Sequence, residues 1–301
     1  MKKTFTTLML LAFATVSMMA QQIAPVYDKM FTNSTLGFSN PTASVKLWEN
    51  GAPNSNGVDY NDPAVNQREL APKFDVFVPK SDKPVPAVIV CPGGGYMMES
   101  SYHEGYMWRN FFGYQGIATV MLTYRLPHGN HLVPASDVYE TVRYLRTHAS
   151  ELNINPDQIG VMGFSAGGHL ASTAATHAPE DARLNFQILF YPVITMDAKY
   201  THQGTRESLI GKNPSEEMVK LYSNELQVNE KTPQAFIVLT SDDTAVPPLN
   251  SARYYAALCE KGVPAVMHVY PNGGHGFGIN DSFPYHAHLL FELVSWLSTI
   301  F

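Results

Sequence analysis

The stretch GFSAGG places Ser165 between two glycines, directly after the apolar run IGVM. The run predicts a strand and the residues from Ala166 onward predict a helix, so Ser165 would lie on the sharp turn between them. Glycines at 163 and 167 lack the Cβ atoms that would keep the two backbones apart. The first helical turn would also offer its positive dipole end and the N–H of Ala166 to a developing oxyanion. The spacing fits a nucleophile, although by itself it equally fits an ordinary glycine-rich turn.

A histidine in a second glycine-rich stretch, His275 in PNGGHGFG, follows the last predicted strand. The flanking glycines would let its side chain reach across a site, so His275 is the candidate general base. His169 lies one turn after Ser165 on the same helix, and we expect it to pack beneath the turn. The pair His128 and His131 could chelate a metal, but no carboxylate or cysteine lies nearby, so we predict no metal site.

Two adjacent aspartates, Asp242 and Asp243, follow another predicted strand in TSDDTAVPPLNS. One of them could orient a catalytic imidazole and stabilise its positive form. Either could instead cap the turn or the following helix. The spacing alone does not choose between them.

Consecutive glycines in CPGGGYMMES follow a further apolar strand. The simplest interpretation is a tight turn. The functional interpretation is a loop whose backbone N–H groups, from Gly94 or Gly95, stabilise the negative charge that develops on a substrate carbonyl oxygen.

The elements that must position these residues alternate along the chain. Buried or alternating apolar runs predict strands, and the segments between them have helical patterns. This alternation predicts an α/β domain over residues 72–301, with a mostly parallel sheet and helices on both faces. The predicted strands are 73–79, 86–91, 116–124, 158–164, 185–194, 235–241 and 264–270, and the predicted helices are 134–150, one from Ala166, one from about Pro248, and 284–300.

The polar interval 195–233 breaks the alternation, and NPSEEMVKLYSNEL is its only clear helical pattern. An insertion in an α/β sheet usually lies near the carboxyl ends of the strands, over the ligand crevice. We therefore predict a small cap over the site.

The two ends of the chain differ in character. Residues 1–20 have two lysines, a short apolar run and a small residue at Ala20, the layout of a signal peptide cleaved after Ala20. We therefore predict a periplasmic or secreted protein without stable membrane insertion, because the apolar run is too short to span a bilayer. Residues 21–71 are rich in Asn, Pro and Gly and predict an N-terminal arm.

Composition excludes some classes of partner. The formal charge of −6 becomes −8 without Lys2 and Lys3, which disfavours nucleic acid. The only cysteines, Cys91 and Cys259, are too few for a disulfide framework, and we do not favour a bridge between them. The sequence leaves the oligomeric state open.

The candidate residues occur in the order glycine loop, serine, aspartate, histidine, each after a predicted strand, which is the order of α/β-hydrolases. Over residues 72–301 the chain resembles α/β-hydrolase esterases related to acetyl-xylan and feruloyl carbohydrate esterases and to prolyl-oligopeptidase-like hydrolases. The motifs that carry the resemblance are PGGGY, GIATVMLTYRLP, GFSAGGHLA, DTAVPPLNS and GGHGFG, together with LWENGAPNSNG in the arm.

The resemblance implies roles for particular residues. It implies Ser165 as nucleophile, His275 as general base, and Gly94, Gly95 and Ala166 as oxyanion donors. It implies Asp243 as the acid, because the family's acid stands three residues before a Val-Pro pair, here at 246–247. Cys91 stands where many lipolytic relatives have histidine, which favours the carbohydrate-esterase branch.

The function that the resemblance implies is hydrolysis of short-chain acyl esters, above all acetyl esters, on a sugar or polysaccharide, without a cofactor. The aromatic residues of the site loops, Tyr96, Tyr102, Tyr106 and Trp108, are weak evidence for a sugar platform, because aromatic residues are more often part of a core. The alternatives are a serine peptidase of dipeptidyl-peptidase type and a catalytically silent relative that binds sugars.

Overall fold

The computed structural model describes residues 40–62 and 71–301. The predicted signal peptide, its cleavage after Ala20 and most of the predicted arm lie outside these residues. None of the described helices has both the length and the apolar character needed to cross a membrane. Cys91 is buried, Cys259 is exposed, and both are free thiols.

The described chain forms one sheet of eight strands in the order β1-β2-β4-β3-β5-β6-β7-β8. The pairs β1–β2 and β2–β4 are antiparallel, and every other neighbouring pair is parallel. The strands are β1 (Ala43–Lys46), β2 (Lys73–Phe77), β3 (Val85–Cys91), β4 (Ala118–Thr123), β5 (Ile154–Phe164), β6 (Phe186–Phe190), β7 (Gln234–Thr240) and β8 (Ala265–Tyr270).

All predicted strands are present, with bounds that differ by a few residues. The largest differences are β6, which ends at Phe190 rather than 194, and β5, which begins at Ile154 rather than 158. Every residue of β4 and β6 is buried, as their continuous apolar sequences predicted. One strand, β1, was not predicted and lies within the segment interpreted as an arm.

Helices connect the parallel strands and pack against the sheet. The predicted helices are present with small shifts, but the predicted 134–150 ends at Thr147 and is followed by a separate turn of helix. The helices are α1 (Trp108–Tyr114), α2 (Val133–Thr147), α3 (Ala149–Leu152), α4 (Ser165–His177), α5 (Gln203–Ile210), α6 (Glu216–Leu221), α7 (Leu249–Glu260) and α8 (His286–Ile300).

These helices cover both faces of the sheet. Successive side chains of a strand point to opposite faces. In β6 the ring of Phe186 contacts Trp296 of α8, whereas the neighbouring Gln187 accepts a hydrogen bond from Tyr254 of α7. Helices α7 and α8 therefore lie on opposite faces, and the predicted mostly parallel sheet with helices on both faces is confirmed.

The interval 195–233 contains more helix than its sequence indicated. Helix α6 and a 3₁₀ turn at Asn224–Leu226 coincide with the predicted pattern, but α5 was not predicted. Its first turn is capped by His202, whose ring accepts the backbone N–H of Thr205. Histidine is not among the usual N-cap residues, which explains why the start of this helix was missed.

A buried ion pair fixes residues 40–62 to the domain. Asp137 is fully buried and accepts hydrogen bonds from the guanidinium of Arg125 at 2.7 Å and from the indole of Trp48 at 2.6 Å. The same guanidinium donates to the carbonyl oxygen of Asn54 at 2.6 Å. Strand β1 adds backbone pairing to β2, so this part of the chain belongs structurally to the sheet.

Candidate active site

The turn at Ser165 joins the carboxyl end of β5 to α4, and its backbone is tightly enclosed. Ser165 has a φ of +52°, a left-handed conformation that is costly for a residue with a side chain. A Cβ on Gly163 would lie 2.1 Å from the carbonyl oxygen of Gly167, and a Cβ on Gly167 would lie 2.1 Å from that of Cys91. The predicted reason for both glycines, close approach of strand and helix, is confirmed by these distances.

Three side chains from three strand ends form one hydrogen-bonded chain. His275 Nε2 lies 2.8 Å from Ser165 Oγ, and His275 Nδ1 lies 2.6 Å from Asp243 Oδ2. A carboxylate can only accept, so Nδ1 carries the proton and Nε2 is left to accept the serine proton. The side chain of Asp243 is 1% exposed and that of His275 is 22% exposed.

The two neighbouring aspartates have different hydrogen-bond partners. The second oxygen of Asp243 accepts the backbone N–H groups of Ala245 and Val246, both at 2.9 Å. Asp242 instead accepts the N–H groups of Gly274 and Gly273, at 2.8 and 3.2 Å. Asp243 thus orients the imidazole, whereas Asp242 holds the backbone of the histidine loop.

The charge state of Asp242 follows from the same contacts. The hydrogen bond from the N–H of Gly274 lowers the pKa of Asp242 below its usual value, and the N–H of Gly273 adds to this effect. Asp242 is an exposed side chain, so water screens this interaction.

The glycine loop after β3 lies beside the serine. Gly94 and Gly95 have φ values of +131° and +66°, conformations that favour glycine. Their N–H groups donate no hydrogen bond to another described residue. A Cβ on the preceding Gly93 would lie 3.1 Å from the Cβ of Ser165, which places the loop next to the nucleophile. The N–H of Ala166 lies in the first turn of α4, where no intrahelical acceptor exists.

The interval 195–233, predicted as a cap and called the cap below, contributes a residue that the sequence analysis missed. The Cε1 atom of His202 would lie 3.6 Å from a Cβ on Gly95, so its ring stands beside the glycine loop. Burial lowers the pKa of His202, and the neighbouring His275 lowers it further, so the ring is neutral at pH 7. Its Nδ1 accepts the N–H of Thr205, so its Nε2 carries the proton.

Most of the aromatic residues of these loops belong to the core. Trp108 is fully buried, and Tyr96 is 2% exposed with its hydroxyl against His169 Nδ1. Tyr106 is half-buried and donates to Asp75. Only Tyr102 is strongly exposed among the aromatic residues considered as a sugar platform, at 73%. The platform hypothesis therefore loses most of its candidates.

The remaining histidines considered in the sequence have structural contacts. His169 is fully buried beneath the turn, as predicted, and its Nε2 donates to the carbonyl oxygen of Tyr222. His131 Nδ1 contacts the hydroxyl of the same tyrosine. Across residues 40–62 and 71–301, no group of three or more His, Cys, Asp or Glu side chains could hold a metal ion.

Known proteins resemble this chain over most of its described length. The BD-FAE family profile matches residues 74–258. The chain is 42% identical over 218 residues to an acetylxylan esterase from Xylanibacter ruminicola, covering 71% of this chain and 45% of that protein. It is 34% identical over 259 residues to endo-1,4-beta-xylanase B from Butyrivibrio fibrisolvens, covering 81% of this chain and 40% of that protein.

A solved structure has the same fold over nearly its entire length. The acetyl ester-xyloside bifunctional hydrolase from Caldicellulosiruptor lactoaceticus has a TM-score of 0.77 and 34% identity, covering 88% of this chain and 98% of that chain. By contrast, this chain spans less than half of the length of the two curated relatives.

Proposed function

Because the chain belongs to the BD-FAE family of α/β-hydrolases, we propose that it is a serine esterase that removes short acyl groups, chiefly acetyl, from carbohydrate. The observation that carries the proposal is the hydrogen-bonded chain from Ser165 through His275 to Asp243. The similarity to the Xylanibacter acetylxylan esterase supports the choice of acyl group and substrate class.

The proposed reaction is acyl transfer in two steps. His275 Nε2 takes the proton of Ser165 as Oγ attacks the ester carbonyl. The imidazolium then gives that proton to the sugar oxygen as its bond to the acyl carbon breaks, so the sugar leaves with a free hydroxyl. The acyl-enzyme is then hydrolysed when the same Nε2 activates water. Asp243 holds the ring in the reactive tautomer and stabilises its positive charge.

The tetrahedral oxyanion of each step needs donors that are already in place. We assign this role to the N–H of Ala166 and to that of Gly94 or Gly95, which have no other acceptor among the described residues. Loss of one such donor typically costs on the order of 10²–10³ in rate. All these groups come from the chain itself, so the proposed mechanism needs no cofactor.

The proposed localisation is the periplasm or the outside of the cell, where the enzyme would have access to polysaccharide. The signal-peptide pattern of residues 1–20 supports export. The net charge of −6 disfavours nucleic acid as a partner. We therefore propose an acylated sugar or polysaccharide as the substrate.

The test is a hydrolysis screen with Ser165→Ala and a matched control, Ser150→Ala. Ser150 is exposed and lies in α3, before the amino end of β5, whereas Ser165 follows the carboxyl end of that strand. Substrates are acetylated xylan, a feruloylated sugar, aryl acetate, aryl octanoate and an aminoacyl-prolyl amide. We expect acetyl esters to be cleaved fastest, Ser150→Ala to be fully active, and Ser165→Ala to lose about 10⁵–10⁶ in kcat.

A fluorophosphonate label, mapped by mass spectrometry, gives an independent readout. We expect the label on Ser165 alone. Label on another serine would refute the nucleophile, preferential cleavage of the prolyl amide would indicate a peptidase, and sugar binding without any turnover would indicate a silent relative.

A further inference from the structure

Two buried polar side chains stand directly behind the proposed site without belonging to the triad. Glu104 lies in a π-helical turn, Tyr102–Tyr106, and is 3% exposed. Tyr191 follows the last residue of β6, is 1% exposed and has a φ of +36°. A buried carboxylate and a non-glycine residue in a left-handed conformation both cost free energy, so their presence calls for a compensating role.

The hydrogen bonds of these residues connect two loops of the site. Glu104 Oε2 accepts the N–H of Gly93 at 2.9 Å, and Oε1 accepts the hydroxyl proton of Tyr191 at 2.7 Å. The oxygen of Tyr191 in turn accepts the N–H of Gly278 at 2.9 Å. Gly93 directly precedes the two glycines assigned to the oxyanion, and Gly278 lies three residues after His275.

Both side chains also lie close to members of the proposed triad or to their neighbours. A Cβ on Gly93 would lie 2.6 Å from Glu104 Oε2 and 3.1 Å from Ser165 Cβ, so the carboxylate and the nucleophile both lie close to Gly93. The ring of Tyr191 lies 4.6 Å, centroid to centroid, from the imidazole of His275. Within the described part of the chain, Glu104 has no cationic partner, so hydrogen bonding alone satisfies it.

We propose that Glu104 and Tyr191 are positioning residues, which together hold the oxyanion loop and the histidine loop at a fixed separation around Ser165. This inference rests on the proposed function. The carboxylate holds the glycine loop through the N–H of Gly93. It also holds the hydroxyl of Tyr191, which in turn binds the N–H of Gly278 in the loop that follows His275. Burial and the neighbouring carboxylate raise the pKa of Tyr191, so the phenol stays protonated and remains a donor to Glu104.

A geometric role predicts a defect in the transition state more than in substrate binding. A misplaced donor weakens an interaction that forms only when the oxyanion develops, so kcat and kcat/KM fall together. We expect Tyr191→Phe to lower kcat for aryl acetate about 10-fold and Glu104→Met, which removes both acceptors, to lower it about 100-fold. KM should stay within about threefold of the wild-type value in both variants.

Two further variants separate this role from simple loss of stability. Tyr254 is also fully buried and donates one hydrogen bond to a side chain, Gln187, at 3.0 Å, but it lies in α7 away from the site. We expect Tyr254→Phe to lower the melting temperature about as much as Tyr191→Phe while leaving kcat unchanged. Glu104→Gln can still accept from Gly93 through its oxygen, but its amide nitrogen would face the Tyr191 hydroxyl, which would then have to accept rather than donate. This variant should therefore recover part of the activity lost in Glu104→Met.

The outcomes test the two proposals separately. If wild type and Tyr254→Phe both fail to hydrolyse aryl acetate, the proposed function fails. If both are active and Tyr191→Phe keeps kcat within twofold of them, the positioning role is refuted and the esterase stands. If Glu104→Met does not fold, the kcat of Tyr191→Phe compared with that of Tyr254→Phe still tests the positioning role.

Discussion

Helices α4 and α5 each have a glycine in their first turn, and the space around the two glycines is different. In α4, beside the serine, a Cβ on Gly167 would meet the backbone oxygens of Cys91 and Pro92 at 2.1 and 2.3 Å. In α5, in the cap, a Cβ on Gly204 would meet only the side-chain ends of His202 and Met97, at 3.2 and 3.3 Å. Backbone in a sheet cannot yield, whereas side-chain tips can rotate away.

The cap is joined to α4 by polar contacts rather than by tight backbone packing. Asn224 donates from its amide to Ser172 Oγ at 2.7 Å and to Thr173 Oγ1 at 3.0 Å, all within the buried interior. His169 adds its hydrogen bond to the carbonyl oxygen of Tyr222 at 2.9 Å. The turn between β5 and α4 should therefore tolerate almost no change in shape. The cap should tolerate changes in shape and respond to changes in hydrogen bonding.

The largest expected effect on activity is that of replacing Asp243, the proposed catalytic acid at the carboxyl end of β7. Asp243→Asn should lower kcat by about 10³–10⁴, because an amide that donates to Nδ1 stabilises the wrong tautomer of His275. Asp242→Asn should lower kcat about tenfold or less, because that side chain binds only the loop backbone. Steady-state kinetics of both variants on aryl acetate measure the difference.

The contrast between these neighbours is its own control, since the substitution is chemically the same at adjacent positions. A defect that is greater in Asp242→Asn would show that the acid is misassigned by one residue. Circular dichroism of both variants should show an unchanged fold.

The next largest effect is on stability, and it tests the comparison directly. Gly167→Ala should lower the free energy of unfolding by roughly 3 kcal/mol or more, because the added methyl overlaps backbone oxygens. Gly204→Ala should change it by no more than about 1 kcal/mol, because the better helix propensity of alanine offsets the mild crowding. Urea unfolding monitored by far-UV circular dichroism gives both values. Equal losses of unfolding free energy in the two variants would contradict the distinction between the turn at Ser165 and the cap.

The sequence predicted those parts of the protein that one strand or one turn determines locally. The apolar runs that became β3, β4 and β5 were clear because both faces are buried. The flanking glycines singled out Ser165 and His275 as candidates. Those beside Ser165 allow close backbone approach, and those beside His275 adopt positive φ angles. The residue patterns alone could not separate Asp242 from Asp243, because both side chains bind the histidine loop about 30 residues later in the chain. Only the folded structure shows that Asp243 meets the imidazole and Asp242 the loop backbone.

The missed elements have specific physical causes. Strand β1 is a short, half-exposed edge strand with no buried run. In α1, Trp108, Phe111 and Phe112 do have helical spacing, but the helix is only seven residues long. Glu104 could not be recognised because glutamate is almost always exposed, and its burial depends on partners from distant strands.

A pH-dependent effect of intermediate size on the free energy of unfolding is expected from His169, where α4 contacts the cap. Burial lowers the pKa of His169 from its usual 6.5 to about 4. Between these values the unfolded chain takes up a proton that the folded chain does not bind, so the free energy of unfolding falls as the pH drops from 6.5 to 4. The loss from this residue is at most about 1.4 kcal/mol per pH unit.

Urea unfolding at pH 7.5, 6.0 and 5.0 measures this slope for wild type and His169→Gln. The variant loses the titrating group, so its stability should fall less steeply with acid even if it is less stable at pH 7.5. Parallel slopes would mean that other groups cause the acid sensitivity and that the contact between α4 and the cap is not pH-dependent through His169.

The smallest expected effect concerns His202, a cap residue beside the glycine loop. Its Nδ1 is occupied as an acceptor, and its Nε2–H has no acceptor among the described residues, so a donor is left free beside Gly95. We expect this donor to bind a sugar oxygen, so His202→Asn should raise KM for acetylated xylan about threefold to tenfold, the size of one hydrogen bond at a half-exposed site. Asparagine keeps the N-cap of α5, and aryl acetate, which has no sugar, should be cleaved normally. Ser215→Ala, which removes the N-cap of α6 instead, should lower the stability at least as much as His202→Asn and leave both KM values unchanged. If His202→Asn and Ser215→Ala have the same KM for acetylated xylan, His202 only caps its helix, and the cap gives the site no specificity through this residue.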